Sequence, residues 1–339
     1  MKTLSMHFEC KCFNEKPSKE IKFILNNPKK EEVDYQILLC GRRIKSISIF
    51  LEDNITISNN KIFYILDILK FLMIFHGAFP KISSITIDKE SKDVTARFKN
   101  YLLKYFLTDK SFIHSSFYFN FINNYESAQF VLFFKNWLQI KDELEITHNL
   151  FLYSISEAWP LIDIRNIFLI QVLEPLYEMI PRIKENNITV HETFKFAEEI
   201  ICATDYPKLG NGITKAYRID LIKDILKNSK NAYKHTSLKE KLDFIIRKYG
   251  SIIFQKEIKE YKYELMLALF VNSRNRLAHI KPNVNTKDFL SGNQCYPYNL
   301  KLYLLYRVVL MSLIGVEEKC YINCLSTAIE LIDNDEAIL

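Results

Sequence analysis

The chain has 339 residues, nearly half of them apolar, with 25 phenylalanines and 19 tyrosines but only 7 glycines and 9 prolines. This composition excludes a disordered chain, and the length predicts two domains, each able to bury a core of its own. The 46 basic side chains are nearly balanced by 40 acidic ones, which leaves a formal net charge of +6. Any nucleic-acid site must therefore be a local patch and not a property of the whole surface.

The cysteines and the apolar segments indicate where the protein works. Seven cysteines are scattered over positions 10, 12, 40, 202, 295, 320 and 324, without a CxxC pair or a cysteine–histidine cluster at zinc spacing. They predict reduced thiols in a cytoplasmic protein. We also expect no metal and no cofactor. The first ten residues lack the apolar core of a signal peptide, and charged residues interrupt the most apolar windows, 62–79 and 300–316. We therefore expect neither secretion nor a membrane partner.

Short β-branched runs dominate the first third of the chain and predict a small sheet. The predicted strands cover residues 3–13, 21–25, 35–40, 44–51, 55–57 and 82–87. A helix is predicted at 60–75, where apolar residues recur with helical period and Gly77 stands just past the end. A second helix is predicted at 97–106 and an aromatic strand at 112–121. The phenylalanines of this strand are more typical of a core than of a surface that stacks on RNA bases.

Strand patterns stop at Asn123 and Asn124, and everything later is helical. The predicted helices cover residues 126–145, 159–180, 190–203, 215–228, 238–248, 256–279, 298–314 and 317–332. Their apolar stripes predict an antiparallel bundle. The sequence thus predicts an α+β protein, with a small mixed β-rich N-terminal domain over residues 1–124 and an all-α helical bundle over residues 125–339.

Residues 267–282 read LALFVNSRNRLAHIKP, an apolar helical run that ends in Arg274, Asn275 and His279. Imidazole suits proton transfer near neutral pH, so His279 is a candidate general acid or base. The guanidinium of Arg274 is a fixed positive charge that can stabilise the negative charge of a phosphorane transition state. Asn275 lies four residues before His279, on the same helix face, where it can orient the imidazole or donate to a phosphate oxygen.

Helix geometry limits what one copy of this motif can do. Arg274 and His279 are five residues apart and point about 140° away from each other around a regular helix. Two copies related by a two-fold axis would instead line one cleft with two arginines and two histidines. The alternative is purely structural, because Pro282 follows closely and cations are typical of the last turn of a helix, where they complement exposed carbonyl groups.

The order of arginine, small polar residue, three further residues and histidine resembles the signature of HEPN-domain ribonucleases. A small N-terminal domain, a helix carrying VLEPLY at residues 172–177 and a late helix with Arg274, Asn275 and His279 also look like the ApeA-type HEPN proteins of bacterial anti-phage defence, which are associated with abortive infection. This resemblance implies a composite site in a homodimer and adds Glu174 as an accessory position. An exposed helix carboxylate is the alternative interpretation of Glu174. Ile280 stands where many HEPN proteins have glycine.

The resemblance implies a metal-independent, RNA-specific endoribonuclease in which a ribose 2′-hydroxyl attacks the neighbouring phosphate and leaves a cyclic phosphate and a 5′-hydroxyl. Arg276 and Lys281 would hold flanking phosphates. The expected partners are RNA, a second copy of the chain and a phage-derived activator. The alternative is a non-catalytic HEPN helical module that binds a protein partner or a nucleotide.

Overall fold

A computed structural model describes residues 2–8, 19–26, 32–40, 43–51, 59–77, 82–87, 127–155, 161–180, 220, 237–279 and 288–334. Five strands in its first part form one antiparallel sheet in the order β2-β3-β4-β1-β5. They are β1 (Lys2–Phe8), β2 (Lys19–Asn26), β3 (Glu32–Cys40), β4 (Arg43–Leu51) and β5 (Ile82–Ile87). The central strand β4 is buried on both faces from residue 46 to residue 49, where isoleucines alternate with small serines.

Helix α1 (Asn59–His76) joins the sheet to the rest of the chain, since it contacts β4 on one side and later helices on the other. Its second half is strongly apolar, and residues 71–75 are all buried. A helix that is apolar all round has to be covered on every side. The hydrophobic core is accordingly continuous from the sheet through α1 into the later helices.

The later helices form a bundle around one central helix. They are α2 (Ser127–Ile140), α3 (Glu145–Ile155), α4 (Ile162–Gln171), α5 (Leu173–Met179), α6 (Leu238–Tyr249), α7 (Gln255–Lys259), α8 (Tyr263–His279), α9 (Cys295–Leu313) and α10 (Ile322–Asn334), with 3-10 turns at Gly292–Gln294 and Glu318–Cys320. Helix α9 is buried from residue 299 to residue 311 and contacts α1, α4, α5, α6 and α10. Helix α8 lies against α4, α6 and α7.

The α+β class is confirmed, while several helix boundaries differ from the prediction. A turn at residues 141–144 divides the predicted helix 126–145, and the chain continues into α3, which the prediction missed. The predicted helix 159–180 is broken at Val172, because Pro175 has no N–H group to donate to the carbonyl group of Gln171. The predicted helix 256–279 is broken at residues 260–262, where Tyr261 has a φ of 56°.

Other predictions fall on parts of the chain that the structure leaves undescribed. These are the strands 55–57 and 112–121 and the helices 97–106, 190–203 and, apart from Asp220, 215–228. The division into domains at residue 124 stays a prediction. Among the described helices, none is long and apolar enough to cross a membrane.

Candidate functional site

The end of α8 gathers the predicted site residues. Its first half packs into the core through Met266, Leu267 and Phe270, and its second half becomes polar. Arg274 is half-buried, with 26% of its side chain exposed, and it faces the junction of α4 and α5. A cation in this position is shielded from bulk water, so its contacts with neighbouring side chains gain strength.

Three side chains hold the guanidinium of Arg274. Its Nε donates to Oε1 of Gln171 at 3.1 Å, Nη1 donates to Oδ1 of Asn275 at 3.2 Å, and Nη2 donates to Oε2 of Glu174 at 3.3 Å. Gln171 is the last residue of α4 and Glu174 lies in the first turn of α5. In the structural alternative, this arginine would bind the carbonyl groups at the end of its own helix. The observed acceptors include Gln171 and Glu174 instead, which lie on the neighbouring helices α4 and α5.

Glu174 has a second cation beside it. Nζ of Lys241, on α6, lies 3.2 Å from Oε1 of Glu174 and 3.2 Å from Oε1 of Glu178. Burial lowers the pKa of Lys241, but its hydrogen bonds to Glu178 and Glu174 outweigh this and leave the pKa above its ordinary value. The ammonium therefore stays charged and ties α6 to α5, with Glu174 shared between Lys241 and Arg274.

Asn275 and His279 keep the relation predicted from the sequence, because α8 remains helical up to His279. Asn275 is half-buried and lies one turn before His279 on the same face. The backbone positions of Arg274 and His279 lie about 140° apart around the axis of a regular helix. The side chain of His279, and all of Lys281, lie outside the described residues.

Arg276 lies on the exposed side of α8, where its guanidinium carbon is 3.9 Å from the ring centre of Phe289. The segment that carries Phe289 is tied to α8 by two hydrogen bonds. The backbone N–H of Leu290 donates to Oγ of the buried Ser273 at 3.0 Å, and Nδ2 of Asn272 donates to the carbonyl oxygen of Asp288 at 2.9 Å. The cation–π contact fixes the plane of the Arg276 guanidinium while leaving the residue exposed.

Sequence reasoning missed three side chains of this site: Gln171, Lys241 and Phe289. Only Gln171 carries a local signal, because it stands three residues before Glu174 and so shares a helix face with it. Lys241 and Phe289 come from other segments, and no spacing within one helix predicts them. Within the described part of the chain, no group of three or more His, Cys, Asp or Glu side chains is arranged to hold a metal ion.

Helix α8, which ends in Arg274, Asn275 and His279, packs within a bundle of helices. Residues 188–320 match the family model described as Apea-like HEPN, and the chain therefore contains an Apea-like HEPN domain. The match includes Arg274, Asn275 and His279, whereas Gln171 and Glu174 precede it. HEPN domains are generally ribonucleases that bind RNA and dimerise, so this domain is a nuclease-type module. No curated protein and no solved structure matched the chain.

Proposed function

We propose that the protein is a metal-independent endoribonuclease whose cleavage site is built from the α8 ends of two copies of the chain. The observation that carries this proposal is the guanidinium of Arg274, which Gln171, Asn275 and Glu174 orient within the turn that precedes His279. Because Arg274 and His279 diverge around α8, a two-fold arrangement supplies the second arginine and histidine that one copy cannot aim at the same phosphate.

In this mechanism the imidazole of His279 in one copy takes the proton from a ribose 2′-hydroxyl. The 2′-oxygen forms a bond to the adjacent phosphorus, and the bond from phosphorus to the 5′-oxygen breaks. The imidazole of the second copy gives a proton to the leaving 5′-oxygen, which yields a cyclic phosphate and a 5′-hydroxyl. Arg274 stabilises the charge that develops on the phosphorane oxygens. DNA lacks the attacking hydroxyl and is not cleaved.

Arg276 and Lys281 hold phosphates on either side of the cleaved linkage. The stacking of Arg276 on Phe289 supports this role, because it presents a flat and exposed guanidinium near the end of α8. The resemblance to ApeA-type HEPN proteins motivates a place in anti-phage defence by abortive infection. In this proposal the ribonuclease is restrained until a phage-derived component activates it.

Cleavage of a labelled single-stranded RNA in EDTA tests this function. The wild type is expected to leave cyclic-phosphate ends, and an RNA with one 2′-deoxynucleotide should resist cleavage at that position. His279→Ala should abolish cleavage while RNA binding survives. Arg274→Lys should also abolish cleavage, because an ammonium group cannot replace the planar guanidinium with its two parallel donors. Undiminished cleavage by His279→Ala would contradict the assignment.

Arg247→Ala is the matched control for the arginine variant. Arg247 is an exposed arginine on α6 that pairs with Asp243 at 2.7 Å and lies 5.2 Å from the ring centre of Tyr263. It resembles Arg274 in chemistry but lies outside the proposed site, so its removal should leave cleavage unchanged. If the wild type cuts no RNA and is no more toxic to cells than His279→Ala, the non-catalytic HEPN module is favoured. A strictly monomeric protein at the assay concentration would contradict the composite site.

A further inference from the structure

We propose that Gln171 is a positioning residue, an uncharged acceptor that orients Arg274 without adding negative charge to the site. This inference rests on the proposed function. It concerns Gln171 and Glu174, the side chains from α4 and α5 that contact Arg274, and the match over residues 188–320 does not include them.

Gln171 and Glu174 approach Arg274 from the same face of the α4–α5 segment. Although the helix is interrupted at Val172, this residue keeps right-handed helical angles, with φ of −72° and ψ of −16°, so the three-residue spacing still brings both side chains together. Gln171 takes the Nε–H donor and Glu174 takes one donor of Nη2. These two nitrogens form the side edge of the guanidinium, which is the edge that a carboxylate binds with two parallel bonds.

The charges around Arg274 are already balanced. The cations Arg274 and Lys241 face the carboxylates of Glu174 and Glu178, while Gln171 and Asn275 contribute oxygen acceptors without charge. Three of the five guanidinium donors are engaged among the described residues, which leaves two for a phosphate. A second carboxylate on the same edge would keep the orientation but would make the cluster net negative and repel the RNA backbone.

Gln171→Glu separates positioning from simple structural support, because it should preserve the stability of the fold while weakening the binding of RNA. The new carboxylate accepts a charge-assisted bond from Arg274, so thermal unfolding should occur at the same temperature or higher. The KM for RNA and the Kd for a 2′-deoxy-substituted, uncleavable RNA should both rise about tenfold. Gln171→Leu removes the acceptor and should lower kcat more than it raises KM, because the guanidinium loses its orientation.

Two further variants make this test sharper. The double variant Gln171→Glu with Glu174→Gln moves the carboxylate along the same edge and restores the charge balance, so it should recover most of the lost RNA affinity. Gln139→Glu adds the same charge at an exposed position on α2 and should leave KM and Kd unchanged. Wild-type KM and Kd in Gln171→Glu, or a double variant no better than Gln171→Glu, would overturn the positioning role.

The two proposals fail in different ways. The ribonuclease proposal fails if the wild type leaves RNA intact or if His279→Ala still cuts. The Kd measured with the uncleavable RNA continues to report on Gln171 in either case, because it depends on the charge at Arg274 and not on turnover.

Discussion

At His148 the interior of the protein enforces a neutral imidazole. The ring is 1% exposed, with Nδ1 at 3.2 Å from the Tyr306 hydroxyl and Nε2 at 3.3 Å from the carbonyl oxygen of Lys70. It also stacks on Phe151 and Tyr306. Burial, together with the positive charge of Lys70, lowers the pKa of His148 to about 3. The residue serves as a polar link between α3, α1 and α9.

This depressed pKa predicts a pH-dependent stability. A histidine in the unfolded chain has a pKa of about 6.5, so between that pH and about 3 the unfolded state binds the proton that the folded state excludes. The contribution of His148 to the free energy of unfolding is therefore at its maximum above about pH 6.5 and falls as the pH decreases. Denaturant unfolding should show His148→Gln less stable than wild type at pH 7. The difference between their free energies of unfolding should be smaller by about 2 kcal/mol at pH 5. An unchanged gap would contradict a neutral His148.

The residues of the candidate site divide into those that a sequence reveals and those that it does not. Arg274, Asn275 and His279 stand within six residues of one another on one helix, so their spacing alone predicts their relation. The partners that orient Arg274 are Gln171 and Glu174, about a hundred residues earlier in the chain. A pattern on one helix tells which residues share a face, but it does not tell which distant helix that face meets.

At the scale of elements, periodicity predicts the helices but not their interruptions. The apolar stripe runs through residues 256–279 as if one helix covered them, yet α7 ends and α8 begins around Tyr261. This tyrosine has a φ of 56° and a side chain that is almost fully exposed. The chain thus adopts a left-handed conformation at a residue whose type gives no signal for it, since glycine or asparagine usually stands there.

The strain at Tyr261 predicts that glycine is more stable than alanine at this position. Tyr261→Gly removes the clash between Cβ and the backbone, whereas Tyr261→Ala deletes the same exposed side chain and keeps that clash. The glycine variant should therefore exceed the alanine variant in free energy of unfolding by about 1 kcal/mol. Comparing the two by denaturant unfolding isolates the backbone contribution. A glycine variant less stable than the alanine variant would mean that this junction is not left-handed in solution.

For the whole molecule, a buried polar joint connects the first part of the chain to the bundle. Arg307 on α9 donates from Nε to the carbonyl oxygen of Ile74 at 2.8 Å and from Nη2 to that of Phe75 at 2.7 Å. The Tyr303 hydroxyl donates to the carbonyl oxygen of Gly77 at 2.5 Å and accepts from Nη1 of Arg307 at 2.8 Å. Carbonyl groups at the end of a helix need partners when they are buried. Helix α9 supplies them for α1, so the two parts stabilise each other.

This joint predicts that the sheet, α1 and the bundle unfold together. Calorimetry of the wild type should show a single transition, because the hydrophobic core is continuous from the sheet through α1 to α9. Gly77→Ala should weaken the joint most directly. A Cβ at Gly77 would overlap the Tyr303 hydroxyl and the Arg307 guanidinium, and the φ of 75° adds strain for any residue other than glycine.

Gly292→Ala is the matched control, since Gly292 has a φ of 54° but no atom of the described residues lies within 4 Å of an added Cβ. The free energy of unfolding of this control should fall by about 1 to 2 kcal/mol from backbone strain alone. Gly77→Ala should lose clearly more, because burial leaves the displaced arginine and the carbonyl groups of α1 without water to replace their hydrogen bonds. Equal losses in the two variants, or two well-separated transitions in the wild type, would show that α9 does not hold the first part of the chain in place.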